Sequence, residues 1–387
     1  MASAEAIQHS ICQFAANLYD KIISQQQGDL HNVLISPLSI YTALAMTMAG
    51  ADGKTKDELE RVLHVNIHMD YNQQHKVIGS TVTQCLNPNE GAQLVLANRL
   101  FLLQPVTIVK EFSEILSKHY KANIELVASL SGADPKRQYI NQWTSKHTEQ
   151  KINELLPSGS VNCETILTLV NALYFKGQWG CEFDKELIFP SKFACYWGKT
   201  MEIQMMFKES EFPYVTLKDW DAQAIYLPFR GADLKLLIVL PSKLNGLPSL
   251  LDNIRKPGAL TKLLTKPFIK TELELSLPRF KLAECKPIDL KTLLIKCGVT
   301  ALFASGDADL SKLCCSRKIH VSDIFHKALL EVDEGGVTAA AATAEMVVEE
   351  CAYECPTFRV DHSFFIALMW ASTIPVLMGH VTAPENI

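Results

Sequence analysis

Residues 334–350 read EGGVTAAAATAEMVVEE and are followed by CAYECP. Local rules give this segment no single place. Four consecutive alanines, Ala339–Ala342, favour helix, yet Gly335 and Gly336 precede them and Val347-Val348 follows. In an extended strand, alternate side chains face opposite ways. Val337, Ala339, Ala341 and Thr343 would then share one face, and Thr338, Ala340, Ala342 and Ala344 the other. Both faces are small and uncharged, so the strand can enter the middle of a covered sheet without burying a charge. Gly335 and Gly336 supply a hinge, because glycine accepts large backbone changes at little steric cost. Extended, the segment from Glu334 to Glu350 spans on the order of 50 Å. One segment with two destinations is expected: an exposed loop and a buried strand.

The 387 residues around it are 48% hydrophobic and 20% charged, ordinary for a soluble globular protein. A net charge of -5 provides no basic field for nucleic acid, and the lysines at 110, 118 and 121 are expected to solvate a helix face. No apolar run approaches the length that spans a bilayer. MASAEAIQHSICQFAANLYDKI carries acids and an amphipathic pattern, unlike a secretory signal. Eleven cysteines, an odd and scattered set, fit a reducing compartment better than a disulfide framework. There is no N-x-S/T sequon. The cytosol is expected, with unconventional release left open.

Along the chain, helices are expected at Ile11–Ile22, at SPLSIYTALAMTMAGADG and at DELERVLHV, the last with a capping box from Thr55 to Glu58. TIVKEFSEILSKHY, RQYINQWTSKHT, KINELL, PSLLDNI and DLKTLLIKCG are further helical segments. AQLVLANRLFLL and ANIELVAS are strands, and TILTLVNALYFKGQW is apolar enough for the middle of a sheet. After about residue 200, AQAIYLPF, LKLLIVLP, ELELSLPRFKL, FFIALMW and PVLMGHV are short strands. A helix-rich first half and a strand-rich second half, with no linker or repeat, make one α+β domain of residues 1–387.

Chemical motifs are few. GADGKTKD ends like a phosphate loop, but Met48 stands where the first glycine belongs and a helix precedes it, so an interhelix turn is expected. Cys314-Cys315 and Cys351-x3-Cys355 lack a second pair at zinc spacing. No metal site or cofactor is expected, although Cys351 lies where a thiol can react. His326, among apolar residues in DIFHKALLEV, is expected to be a buried hydrogen-bonded histidine. None of this makes an enzyme.

Several long stretches in order carry a family resemblance over nearly the whole chain: SPLSIYTALAMTMAGADGKTKDEL, LVNALYFKGQW, YLPFRGADLKLLIVLP, IFHKALLEVDEGGVTAAAATA and VDHSFFIALM. The sequence resembles a serpin, of the intracellular ovalbumin-type (clade B) group. The resemblance implies a metastable fold of three β-sheets and about nine helices with an exposed reactive-centre loop, about residues 334–358. It implies a suicide substrate. A target serine protease cleaves the loop, the acyl-enzyme forms, and the loop inserts into the central sheet and carries the protease with it. The partner is thus a protease held covalently; no nucleic acid or membrane is involved, and a monomer is expected. A non-inhibitory chaperone or carrier serpin is the alternative, disfavoured by the Ala/Thr hinge.

The resemblance also assigns residues. Glu334, Gly335, Gly336, Val337, Thr338, Ala339, Ala340, Ala341 and Ala342 match the loop hinge. Glu350 and Cys351 match the reactive bond, in a run that resembles the loop of the granzyme B-inhibiting member. Ser36, Ser39, Asn171 and His326 match the shutter beneath the central sheet. Trp179, Arg279 and Glu334 match the breach, where insertion begins. Departures are Gly335 for an acid or lysine, Val337 for Thr or Ser, Thr338 for Glu, and Ser363 for a proline. Glu350 suits a protease pocket with a basic residue, as in granzyme B-like or glutamate-preferring enzymes, because a buried carboxylate needs a partner. Cleavage shifted toward Tyr353 would suit a chymotrypsin-like enzyme, and a cysteine protease is a further alternative.

Overall fold

The computed structural model describes residues 2–26, 28–65, 70–86, 92–231, 233–283, 285, 288–316, 318–335 and 355–386. Gly336, Val337, Thr338, Ala339, Ala340, Ala341, Ala342, Glu350 and Cys351 lie outside the described residues, so the hinge is seen only at Glu334 and Gly335.

Nine α-helices occur among the described residues: α1 (Ala2–Gln25), α2 (Pro37–Met48), α3 (Gly53–Val62), α4 (Tyr71–Leu86), α5 (Lys110–Ile115), α6 (Ala133–His147), α7 (Leu247–Ile254), α8 (Ala259–Thr265) and α9 (Leu290–Cys297). The strands are β1 (Val33–Ile35), β2 (Ala92–Leu102), β3 (Ile124–Leu126), β4 (Leu167–Gly177), β5 (Ile188–Ala194), β6 (Thr200–Leu217), β7 (Ala222–Pro228) and β8 (Leu234–Pro241). They continue as β9 (Ile269–Pro278), β10 (Phe280–Leu282), β11 (Val321–Val332), β12 (Thr357–Arg359), β13 (Phe364–Trp370) and β14 (Ile374–Val381).

One sheet has the order β10-β11-β4-β2-β3. The other strands form a path β1-β14-β13-β8-β7-β6-β9-β12, with β5 on β6. The second and third sheets that the resemblance implies meet in β6. That strand pairs with β5 and β9 along its first part and with β7 at its end, joining both sheets in one hydrogen-bonded path.

The five-stranded sheet is covered on both faces, as the apolar run of β4 requires. Leu167, Leu169, Leu173 and Phe175 of β4 belong to the main core. Val170, Ala172 and Tyr174, on the opposite face, join a smaller core with Ile140 of α6 and Phe101 of β2. Under the main-core side lies α2, all of whose residues are buried. Pro37 opens that helix in a position where its missing N–H costs nothing, and the Ser36 side chain caps it by accepting from the Ser39 amide.

Two local expectations fail. Thr55 and Glu58 do not box the start of α3. Thr55 Oγ1 accepts from the Asp309 amide, and Glu58 accepts from the amides of Thr300 and Ala301. KINELL is not helical: Asn141 Oδ1 takes the amides of Leu155 and Leu156, and Thr148 Oγ1 takes that of Ile152. Side chains from α6 and from Thr148 just after it thus satisfy the backbone that a helix would have used. The helix α4, rich in polar residues, and the smaller α8 are elements without an expectation. The glycine-lysine-threonine of the phosphate-loop fragment opens α3, as an interhelix turn would have it.

Candidate functional site: a parallel seam and the chain that leaves it

Strands β4 and β11 are parallel neighbours, paired from Leu167 and Val321 to Phe175 and Leu330. No strand lies between them. The chain leaves β11 through Asp333, Glu334 and Gly335, the residues that open the alanine-rich segment. A strand folding back from that point would run antiparallel to β11 and to β4 alike. The seam can therefore accept one more strand with regular antiparallel ladders on both sides.

At the mouth of the seam, Trp179 Nε1 donates to the Asp333 carbonyl at 2.7 Å, and the Phe183 amide donates to the Glu334 carbonyl at 3.0 Å. Arg279 Nε stands 2.9 Å from Glu334 Oε2, an ion pair whose angles fall short of a hydrogen bond. Lys176 Nζ reaches Asp333 Oδ2 at 3.2 Å. Trp179 stacks on Phe229 with centroids 4.7 Å apart. Gly177 is required here, since a Cβ would stand 2.6 Å from both the Phe175 and Phe229 rings. All three residues assigned to the breach thus meet at the root of the hinge. Lys176, Asp333 and Phe183 join them without having been expected.

Midway along the seam, Asn98, Asn171 and His326 sit side by side on β2, β4 and β11. His326 Nδ1 contacts Asn171 Oδ1 at 2.5 Å, and the Ser36 amide donates to His326 Nε2 at 3.0 Å. An amide nitrogen can only donate, so Nε2 is unprotonated and Nδ1 carries the hydrogen. Burial holds the imidazole neutral, with its pKa pushed down to about 3, against a smaller upward pull from Asn171. Ser36 Oγ donates to the Val376 carbonyl at 2.7 Å. Ser39 Oγ donates to Asn98 Oδ1 at 2.9 Å, and Asn98 Nδ2 returns a bond to the Ser39 carbonyl at 3.1 Å. The four residues assigned to the shutter are in one network, to which Asn98 is an addition. Asn98, which with Arg99 interrupts the apolar run LVLANRLFLL, was its signal.

With a neutral histidine beneath it and a clamped chain at its mouth, the seam is closed, and one more strand can enter only where β4 and β11 part. The pattern of the family described as Serpin (serine protease inhibitor) matches residues 9–384.

The chain belongs to the serpin family.

Human Serpin B9 is 36% identical to this serpin, covering 98% of it and 100% of the relative. Leukocyte elastase inhibitor of Xenopus laevis is 30% identical, covering 98% and 100%. Among solved structures, Serpin48 of the insect Tenebrio molitor superposes with a TM-score of 0.86 at 28% identity, over 98% of this chain and 99% of that one. These relatives place the serpin in the ovalbumin-type clade B group. Serine protease inhibition is the activity by which the family is described.

The reactive bond assigned to Glu350 and Cys351 falls outside the described residues. The described chain resumes at Cys355, whose thiol is pushed up by desolvation and then by the carboxylates of Glu272, Glu209 and Glu274. No group of metal-ligating side chains occurs among the described residues, and no described helix is long and apolar enough to cross a membrane.

Proposed function

We propose that this serpin is a suicide-substrate inhibitor of a serine protease with acidic specificity, granzyme B-like or glutamate-preferring. The protease attacks the bond between Glu350 and Cys351 and supplies the nucleophile. The serpin supplies the bait and the stored free energy. After acylation, residues 337 onward fold back from Glu334 into the β4–β11 seam, and the attached protease is carried on the order of 50 Å.

The observation that carries this reading is the direct parallel pairing of β4 and β11, with the hinge leaving the end of β11. The small, uncharged faces of Val337–Ala344 match what such a seam admits. Glu350 selects the target: a carboxylate entering a protease pocket requires a basic partner there, and the acidic pocket of trypsin-like enzymes rejects it. The inhibitor acts as a monomeric single domain in the cytoplasm, and release by an unconventional route is compatible with it.

Incubation with granzyme B and with a glutamyl endopeptidase tests target and mechanism together. Cleavage at Glu350, identified by the mass of the released C-terminal fragment, is expected together with a covalent serpin–protease species that survives denaturation. Cleavage beyond Tyr353 by a chymotrypsin-like enzyme, with none at Glu350, would overturn the acidic preference while leaving the inhibitory mechanism intact.

A further inference from the structure

The β4–β11 seam is tied by side chains on both faces. On the main-core face the tie is His326 to Asn171. On the opposite face, the Tyr174 hydroxyl donates to Glu331 Oε2 at 3.3 Å. Lys151, from the segment that follows α6, reaches Glu331 Oε1 at 3.1 Å with its ammonium 5.2 Å from the Tyr174 ring centroid. At the mouth, Lys176 holds Asp333 at 3.2 Å. Desolvation first, and then the Glu331 carboxylate, push the Tyr174 hydroxyl's pKa up, so it remains a donor.

We infer that Lys151–Tyr174–Glu331 and Lys176–Asp333 form a two-part latch that sets how fast a strand enters the seam. This rests on the inhibitory reading above. Neighbouring strands lie about 4.8 Å apart, so an inserted strand doubles the separation of β4 and β11 to roughly 9.6 Å. Tyr174 is rigid and cannot follow Glu331 across that distance. These contacts therefore exist only in the unopened sheet and break before a new ladder replaces them. Lys151 adds a third body: opening the sheet frees the segment after α6 from the same carboxylate.

These are positioning residues, since none touches the scissile bond. Their strength has two failure modes. A weak latch lets the seam fill without a protease. An over-strong one lets the acyl-enzyme hydrolyse before insertion finishes, and the serpin is consumed as a plain substrate.

The test uses full-length Tyr174→Phe, Glu331→Gln and Lys176→Met and a synthetic peptide of residues 337–348, whose uptake reports opening without a protease. Tyr174→Phe and Lys176→Met are each expected to take up the peptide about five-fold faster than wild type, the effect of losing one partly exposed polar contact. Glu331→Gln, which ends the ion pair with Lys151 and weakens the Tyr174 bond, should take it up at least as fast. The thermal midpoint of the unopened protein should fall, whereas that of the peptide-filled protein should not change. A merely structural role would lower both. Equal uptake rates, or equal loss of stability in both forms, would overturn the latch alone. No uptake by wild type would overturn the latch and the inhibitory reading together.

Discussion

Trp179 holds the hinge root through one N–H and one stacked ring. Trp179→Phe keeps an aromatic face and leaves the Asp333 carbonyl without that donor. A loss of about 1 kcal/mol in the unopened protein is expected, measured as a lower thermal midpoint. An unchanged midpoint would mean that the bond contributes nothing. A second residue-scale outcome concerns acid. His326, His75 and His380 are each held neutral by burial, with pKa values pushed down to about 3 from an ordinary 6.5. The unfolded chain therefore binds protons in this window while the folded chain does not. Their contribution is complete above pH 6.5 and is lost as pH falls from 6.5 toward 3. Each such histidine is expected to remove on the order of 1 kcal/mol per pH unit within that window. In His326→Gln, the amide oxygen accepts from Ser36 and the amide nitrogen donates to Asn171. The fall in midpoint between pH 6.5 and 4.5 should then be shallower than in wild type, and an unchanged slope would contradict the assignment.

The elements around the seam are built for close approach. Gly177→Val would drive a branched side chain into Phe175 and Phe229 and is expected to cost about 1–3 kcal/mol by overpacking. Ser36→Ala removes both the cap of α2 and the bond to Val376, and a loss of about 2 kcal/mol is expected. Denaturation midpoints of the two variants check both values. Strands such as β4 and β13 were legible because continuous apolar runs have one sensible place, inside a covered sheet. The failures have a common cause in long-range side-chain bonding. Thr55 and Glu58 carry the right spacing for a cap, but distant backbone groups at Asp309, Thr300 and Ala301 claim them. KINELL has a helical pattern, but Asn141 and Thr148 take its amides first. The joining of two sheets by β6 depends on partners far apart in the chain, which periodicity does not reveal.

Across the whole molecule, the site was more legible than its surroundings, because the alanine-rich segment breaks local rules for a reason that physical chemistry can name. Trp179, Arg279 and Glu334 came from family resemblance, and the geometry brings them to one place. Lys176, Asp333 and Glu331 were not legible, since their pairing depends on the register of β4 against β11. The proposed mechanism demands that Ala341 enter the seam, so Ala341→Arg, which would bury a charge, is expected to leave cleavage intact and abolish trapping. The most direct measurement is a denaturing gel of the serpin incubated with a glutamate-preferring serine protease. A covalent band at the mass of the protease plus the 43.1 kDa chain, less the released C-terminal fragment, is the expected result. Complete cleavage of the loop with no such band, across a panel of serine proteases, would contradict inhibition by insertion.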